Sequence, residues 1–448
     1  MIKTLSEYLI ILIPILVNIG IFHTLKTVKA LSIISSVIIL VLSILLYFKS
    51  PIENGTFFIT KFTALLLTMI SSIYLLSVLY SLDYIKSLKG IIKEKTYYVL
   101  LNLFVATMIF SIIINNYGLM WVGVELTTVT SALLITTEFS ETSLESTWRY
   151  IIVVSAGVTI ALFSVILIYS QYHTLTITQI LSQKTDNLVI RAAVGLALIG
   201  FGTKVGVFPM YTWLPDAHSE APSPVSALFS GVLLPVALYV LYRIYEIDPL
   251  TNLFIAFSLI SIATASIILM YQWHIKRMFA YSTIENMNLA LLGLAIGQPI
   301  GALILLISHA FGKAAAFYSS GVVIESLNEK KIENISGLHN KLKITSSSLL
   351  LSSLAVTGTP PFGTFIGEFL ILQSLVKEGY LTEFIILVLL LAMAFISINY
   401  HVSKMIFTKD ENKENNHKEP KLLSTISLIS SLISLGIGIF LIILGVIQ

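Results

Sequence analysis

Residues 202–209 read Gly202-Thr203-Lys204-Val205-Gly206-Val207-Phe208-Pro209, and residues 358–363 read Gly358-Thr359-Pro360-Pro361-Phe362-Gly363. Each stretch interrupts an apolar run, from about 188 to 214 and from about 345 to 377, that is long enough to cross a bilayer. Proline removes a backbone donor and disfavours helix at the residue before it, so both runs are predicted to be broken helices. Irregular backbone at membrane depth is tolerated only where protein or a watered cavity surrounds it. Paired broken helices in one chain point to an ion site.

The rest of the chain agrees that lipid is the solvent. Of its 448 residues, 56% are hydrophobic and 11% charged, against roughly 25% charged in an average soluble domain, and the mean hydropathy is +0.91. Fourteen apolar stretches run approximately over 5–22, 29–48, 58–80, 97–115, 118–137, 148–172, 188–214, 222–244, 250–272, 278–296, 298–324, 345–377, 380–406 and 423–446. Barrel strands would be about ten residues of alternating character, so the expected fold is an all-α integral membrane protein of about fourteen transmembrane helices. The first stretch lacks a small-residue cleavage pattern and reads as a retained span. Connections on one side hold seven Lys and Arg, among them Lys3, Lys49 and Lys184. Those on the other hold eighteen, including Lys86, Lys89, Lys276, Arg277, Lys413 and Lys418. The richer side is cytoplasmic, which puts both termini outside and the polar connection 407–422 inside.

The two breaks lie five spans apart, and an odd shift inverts topology. Stretches 4–8 and 9–13 are therefore expected to be an inverted repeat. Glu125 sits seven residues into the fifth stretch, and Glu285 seven into the tenth. The expected organisation is a three-helix segment over 1–96, repeats over 97–244 and 245–406, and a polar loop with a last helix over 407–448.

Several ionisable residues fall well inside the spans, among them Glu125, Lys204, Glu285, His309, Lys313 and Glu368. A charge at a bilayer centre costs about 2.5–3.5 kcal/mol on insertion scales, so these groups must be paired, hydrated or neutral. Alternation between such states is what a proton relay needs. Lys204 lies on an interrupted helix, where desolvation favours the neutral amine and an adjacent Glu125 would favour the ammonium. The alternative is a static ion pair joining two helices. His309 and Lys313 are one helical turn apart on one face, which suits a relay, although a lone buried His is more often a core residue. Glu368 follows the second break, as a proton exit or as a cap of the second half-helix. Glu285 is a further relay group or a partner for Tyr281. Asp216, His218 and Glu220 lie between the seventh and eighth stretches, as an entrance for protons or as an ordinary surface loop.

Other chemistry is poorly supported. Cysteine is absent, so the chain is expected to hold no iron–sulfur cluster or thiolate metal site of its own. No metal-ligand set or phosphate-binding glycine loop stands out, and a net charge of +3 does not argue for nucleic acid.

The first break continues into Trp213-Leu214-Pro215-Asp216-Ala217-His218-Ser219-Glu220-Ala221-Pro222, and the whole resembles the signature of antiporter-like subunits. Those subunits serve respiratory complex I, energy-converting group 4 membrane hydrogenases and Mrp sodium/proton antiporters. Further matches are Trp121-Val122-Gly123-Val124-Glu125-Leu126, Lys276-Arg277-Met278-Phe279-Ala280-Tyr281-Ser282, Ser308-His309-Ala310-Phe311-Gly312-Lys313-Ala314 and Gly363-Thr364-Phe365-Ile366-Gly367-Glu368-Phe369. The resemblance covers roughly 97–405. Within the family, Ser282-Thr283-Ile284-Glu285-Asn286 and Ser230-Gly231-Val232-Leu233-Leu234 resemble hydrogenase-type subunits best.

The resemblance implies a proton- or sodium/proton-translocating subunit of a redox-driven complex. Glu125 and Lys204 would be its input pair, His309 and Lys313 the relay, and Glu368 the exit. It implies iron–sulfur and nickel–iron centres in partner subunits and none here. Pro235 stands where complex I relatives often place a lysine, so any bridge between the halves would use water, Glu285 or other groups. The competing readings are an Mrp-type antiporter subunit without redox partners and an inert assembly scaffold.

Overall fold

A computed structural model describes residues 5–18, 24–88, 93–137, 140–183, 187–409 and 418–446. Lys3, Lys89, Lys184 and the 410–417 core of the polar connection lie outside the described residues. The chain is almost wholly helical and divides into two compact units. One comprises Met1–Trp213 with Val232–Thr251, the other Leu214–Gly231 with Asn252–Gln448.

In chain order the helices begin with α1 (Leu5–Leu16), α2 (Leu25–Lys49), α3 (Lys61–Ser87), α4 (Glu94–Ile113), α5 (Tyr117–Ile135), α6 (Glu141–Tyr172), α7 (Ile177–Ser182) and α8 (Leu188–Val205). They continue with α9 (Trp213–Glu220), α10 (Ser223–Leu228), α11 (Leu234–Tyr245), α12 (Thr251–Leu269), α13 (Ile275–Ala295) and α14 (Pro299–Leu327). The last are α15 (Leu338–Lys341), α16 (Lys343–Val356), α17 (Gly363–Lys377), α18 (Leu381–Phe407) and α19 (Lys421–Ile443). Five of these starts are written in the sequence as N-caps. Thr24, Asn116, Ser140 and Asn187 accept from backbone N–H groups at the first turns of α2, α5, α6 and α8, and Thr60 forms a capping box with Thr63 at α3.

Among the described residues, eleven helical segments are long and apolar enough to cross a membrane. This makes the chain a multi-pass membrane protein. Three expected spans fall short for visible reasons. α1 has twelve residues. α13 is diluted by Glu285, Asn286 and Asn288. The 345–377 stretch is divided into α16 and α17.

Three details depart from the expected architecture. The fold is all-helical as expected apart from one short hairpin, in which Ile52–Glu53 pairs antiparallel with Phe58–Ile59. Residues Asn54, Gly55, Thr56 and Phe57 turn this hairpin, and the Asn54 side chain accepts from the Thr56 and Phe57 N–H groups. Residues 213–220 form α9 rather than a surface loop, because Pro215 falls in the first turn, where a missing N–H costs nothing. The eighth stretch is one continuous helical span that widens into a π-helical turn over Phe229–Leu233 between α10 and α11. Pro235 cannot donate to Gly231, and the wider turn absorbs that missing bond.

In the first unit α6 packs along α8, α4 along α5 and α2 along α3, and α11 returns against α8. Close approach of α6 and α8 depends on small residues. A Cβ at Gly200 would meet the Ala161 backbone at 2.5 Å, and one at Gly157 would meet Thr203 at 2.5 Å. In the second unit α14 is central, surrounded by α10, α13, α16, α17 and α19. Gly438 lets α19 lie against the second break, since a Cβ there would collide with the Pro361 carbonyl.

Candidate ion-conducting sites

α8 stops at Lys204 and Val205 because Gly206 turns left-handed, with φ of +93°. The Gly206 and Val207 N–H groups both return to the Gly202 carbonyl, at 2.9 and 2.8 Å. The Thr203 carbonyl, freed by the break, accepts from the indole N–H of buried Trp213 at 2.9 Å. This arrangement fixes the turn that carries Lys204.

The Lys204 side chain is fully buried and crosses to α5. Its Nζ donates to the Val124 carbonyl at 2.9 Å, to Thr127 Oγ1 at 2.6 Å and to Thr128 Oγ1 at 2.7 Å. An ammonium has three donors, and here each has an acceptor. Glu125 is on the same helix but does not touch the amine. Its Oε1 accepts from Ser155 of α6 at 3.3 Å, and its Oε2 is buried without a hydrogen bond. The expected contact pair of Lys204 and Glu125, whether static or working, is therefore not formed. Lys204 is held by neutral oxygens of residues on either side of Glu125 in the chain. Thr127 and Thr128 were not anticipated from the sequence, where threonines inside an apolar helix look like ordinary core.

The second unit carries its own buried groups. His309 and Lys313 lie one turn apart on α14, both fully enclosed. Lys313 Nζ donates to the Phe279 carbonyl at 2.9 Å and stands 5.7 Å from that residue's ring centre. The His309 ring has the Ser230 backbone beside it. Ser230 belongs to the π-helical turn and shares a 2.6 Å hydrogen bond with Thr283 of α13. Glu285 of α13 is 3% exposed, and its Oε2 makes no hydrogen bond. Its neighbour Asn286 donates to the Val356 carbonyl at 3.1 Å, satisfying an end of α16 at the second break. Glu368, six residues into α17, places its carboxylate over Gly358, whose φ is +60°. Any side chain at 358 would occupy the carboxylate's position.

The suggested proton-entrance residues are not a loop cluster. His218 is fully buried on α9, stacked on Phe317 at 4.9 Å between ring centres. Asp216 pairs with Arg277 at 2.5 Å, and Glu220 with Lys330 at 4.0 Å. Beside them, outside the spans, burial and the cations Arg277, Lys331 and Lys330 push the His274 imidazole below its usual range.

The transmembrane family of NADH:quinone oxidoreductase and Mrp antiporter subunits matches residues 115–397. The chain belongs to this family. Among curated relatives, it is 36% identical over 281 residues to the Hydrogenase-4 component F homolog of Methylacidiphilum infernorum, covering 58% of this chain and 59% of that protein. It is 27% identical over 353 residues to Hydrogenase-4 component B of Escherichia coli, covering 73% and 52%. It is 28% identical over 391 residues to a putative antiporter subunit of Staphylococcus aureus, covering 78% and 48%. The chain thus spans about half to three-fifths of these relatives.

Among solved structures, it superposes on a chain of the membrane-bound sulfane sulfur reductase, an archaeal respiratory membrane complex. The TM-score is 0.88 at 22% identity, over 97% of this chain and 94% of that one. A chain of the Mrp complex from Dietzia sp. gives 0.86 at 18%, over 98% and 95%. At these identities the likeness establishes the fold.

Proposed function

We propose that the chain translocates protons, or exchanges sodium for protons, as one subunit of a redox-driven membrane complex of the group 4 hydrogenase or complex-I-like kind. The observation that carries this reading is Lys204. A fully buried amine, ended by a helix break and matched donor for acceptor, is costly to build and is placed to take up and release one proton. Glu125 would set its charge preference from beside the site. His309, Lys313 and Glu285 would pass charge within the second unit, and Glu368 at the second break would serve as the exit. Asp216, His218 and Glu220 would form the cytoplasmic entrance, with buried His218 its innermost group.

The reading extends to fourteen spans, with α4–α11 and α12–α18 as inverted repeats within the domains 97–244 and 245–406. Each repeat has a break in its fourth span and a glutamate in its second. The chain would sit in the cell membrane with both termini outside and 407–422 cytoplasmic. Iron–sulfur and nickel–iron centres would belong to partner subunits. Likeness to hydrogenase-4 components supports the redox-driven reading. Likeness to an antiporter subunit keeps an Mrp-type antiporter as the second reading.

The test is proton uptake by vesicles containing the assembled complex. Lys204→Ala should abolish uptake with assembly retained, and undiminished uptake would refute the proposal. Flux that requires sodium and persists without redox partners would favour the antiporter.

A further inference from the structure

Between the Thr357–Gly358 turn, α17 and α18 lies a cavity of about 200 Å³. One charged group lines it: Glu368, which is 8% exposed. Thr357 also lines it, but its hydroxyl is already engaged, donating to the Ser353 carbonyl at 2.8 Å and accepting from Asn399 Nδ2 at 3.1 Å. The remaining walls are mainly Phe365, Phe369 and Phe395, with Leu372 and Leu391. Phe369 and Phe395 are 36% and 40% exposed, so the cavity is reached from the apolar outer flank of α17 and α18.

This chemistry selects among cations. A small hard ion takes about six oxygen ligands, and the side chains lining the cavity offer one carboxylate and one committed hydroxyl. Phenylalanine faces attract weakly hydrated organic cations instead. We propose that the cavity binds the ammonium head of an amphipathic amine, with its charge on Glu368 and its alkyl groups against the three phenylalanines. The apolar chain of the amine leaves past Leu372 and Leu391 into the bilayer. The volume is below the about 300–1,000 Å³ of pockets that enclose whole ligands, which suits a head group whose tail remains in lipid. A zwitterionic lipid head fits poorly, because its phosphate would enter the same apolar walls with no cation among the lining residues to meet it. An ammonium here needs the ionised carboxylate and would occupy the exit assigned to Glu368 above, so its binding is measured apart from proton flux.

The test uses the full-length chain in nanodiscs of digalactosyldiacylglycerol, a lipid with neither ammonium nor phosphate. Radiolabelled hexyltrimethylammonium should bind saturably at one site per chain. Its uncharged isostere, 2,2-dimethyloctane, should fail to displace it. Phe369→Leu and Phe395→Leu, which keep the wall apolar but remove its π face, should each weaken binding by about three- to thirtyfold. Glu368→Gln should abolish the saturable component. Equal displacement by the isostere, which needs no variant, would overturn the proposal. So would wild-type affinity in both leucine variants, or saturable binding that survives Glu368→Gln.

Discussion

Thr127→Val and Thr128→Val test whether the oxygens around Lys204 hold a working proton. Each substitution removes one hydroxyl at 2.6 or 2.7 Å from Nζ and leaves the Val124 carbonyl in place. A hydrogen bond to a charged group contributes a net of about 1.5–3 kcal/mol. Losing one should therefore weaken the grip on the ammonium about ten- to a hundredfold. The two threonines serve one ammonium, so the double variant should fall short of the product of the singles. The assay is the initial rate of proton uptake by vesicles loaded with a pH-sensitive dye, at matched amounts of assembled protein. Flux should fall about ten- to a hundredfold in each single variant, and Thr127→Ser should restore it. A double variant within twofold of wild type, in a preparation where Lys204→Ala is inactive, would refute the reasoning.

Four further outcomes follow from the same geometry. Trp213→Phe strands the Thr203 carbonyl and should cost about 1–3 kcal/mol, read as a lower unfolding temperature by circular dichroism. Gly157→Ala drives a Cβ into Thr203; it should cost about 1–3 kcal/mol by overpacking and also slow uptake, because Thr203 precedes Lys204. Asp216→Asn breaks a pair that is partly open to solvent, so it should cost about 1 kcal/mol or less, and the difference from wild type should shrink at high salt. His274 titrates below its usual range because of burial and three nearby cations. The folded chain therefore resists its protonation, and this group begins to destabilise the fold as pH drops below about 6.5. His274→Gln should lose less thermal stability than wild type on acidification, and parallel losses would refute the assignment.

Much of this fold is legible because lipid imposes simple rules. Long apolar runs announce helices, and Gly206 with Pro209, or Gly358 with Pro360 and Pro361, announces where they break. Asn54 initiates the hairpin turn through its side-chain oxygen, a local signal that an expectation of helices alone passes over. Trp213 to Glu220 looks like a loop because it mixes proline with polar residues, whereas Pro215 sits where a first turn accepts it. Pro235 stood out only as a missing lysine, while its local consequence is the π-helical turn around Ser230. The buried ionisable residues were legible from the cost of placing them in hydrocarbon, but their partners were not. Lysine has a long reach, and only tertiary packing decides that Lys204 ends on Val124, Thr127 and Thr128 rather than on Glu125. Gly157 and Gly200 carry the same lesson, because a glycine in a helix does not name the neighbour it admits.

The Thr127 hydroxyl sits 2.6 Å from both Lys204 Nζ and the Val124 carbonyl, accepting from the first and donating to the second. If the ammonium gives up its proton, that O–H can swing from the carbonyl to the new lone pair on nitrogen, while a remaining N–H keeps Val124 satisfied. Both charge states then find complete sets of partners through the rotation of a single C–O bond. Switching between them would call for no helix displacement, only the turning of that hydroxyl.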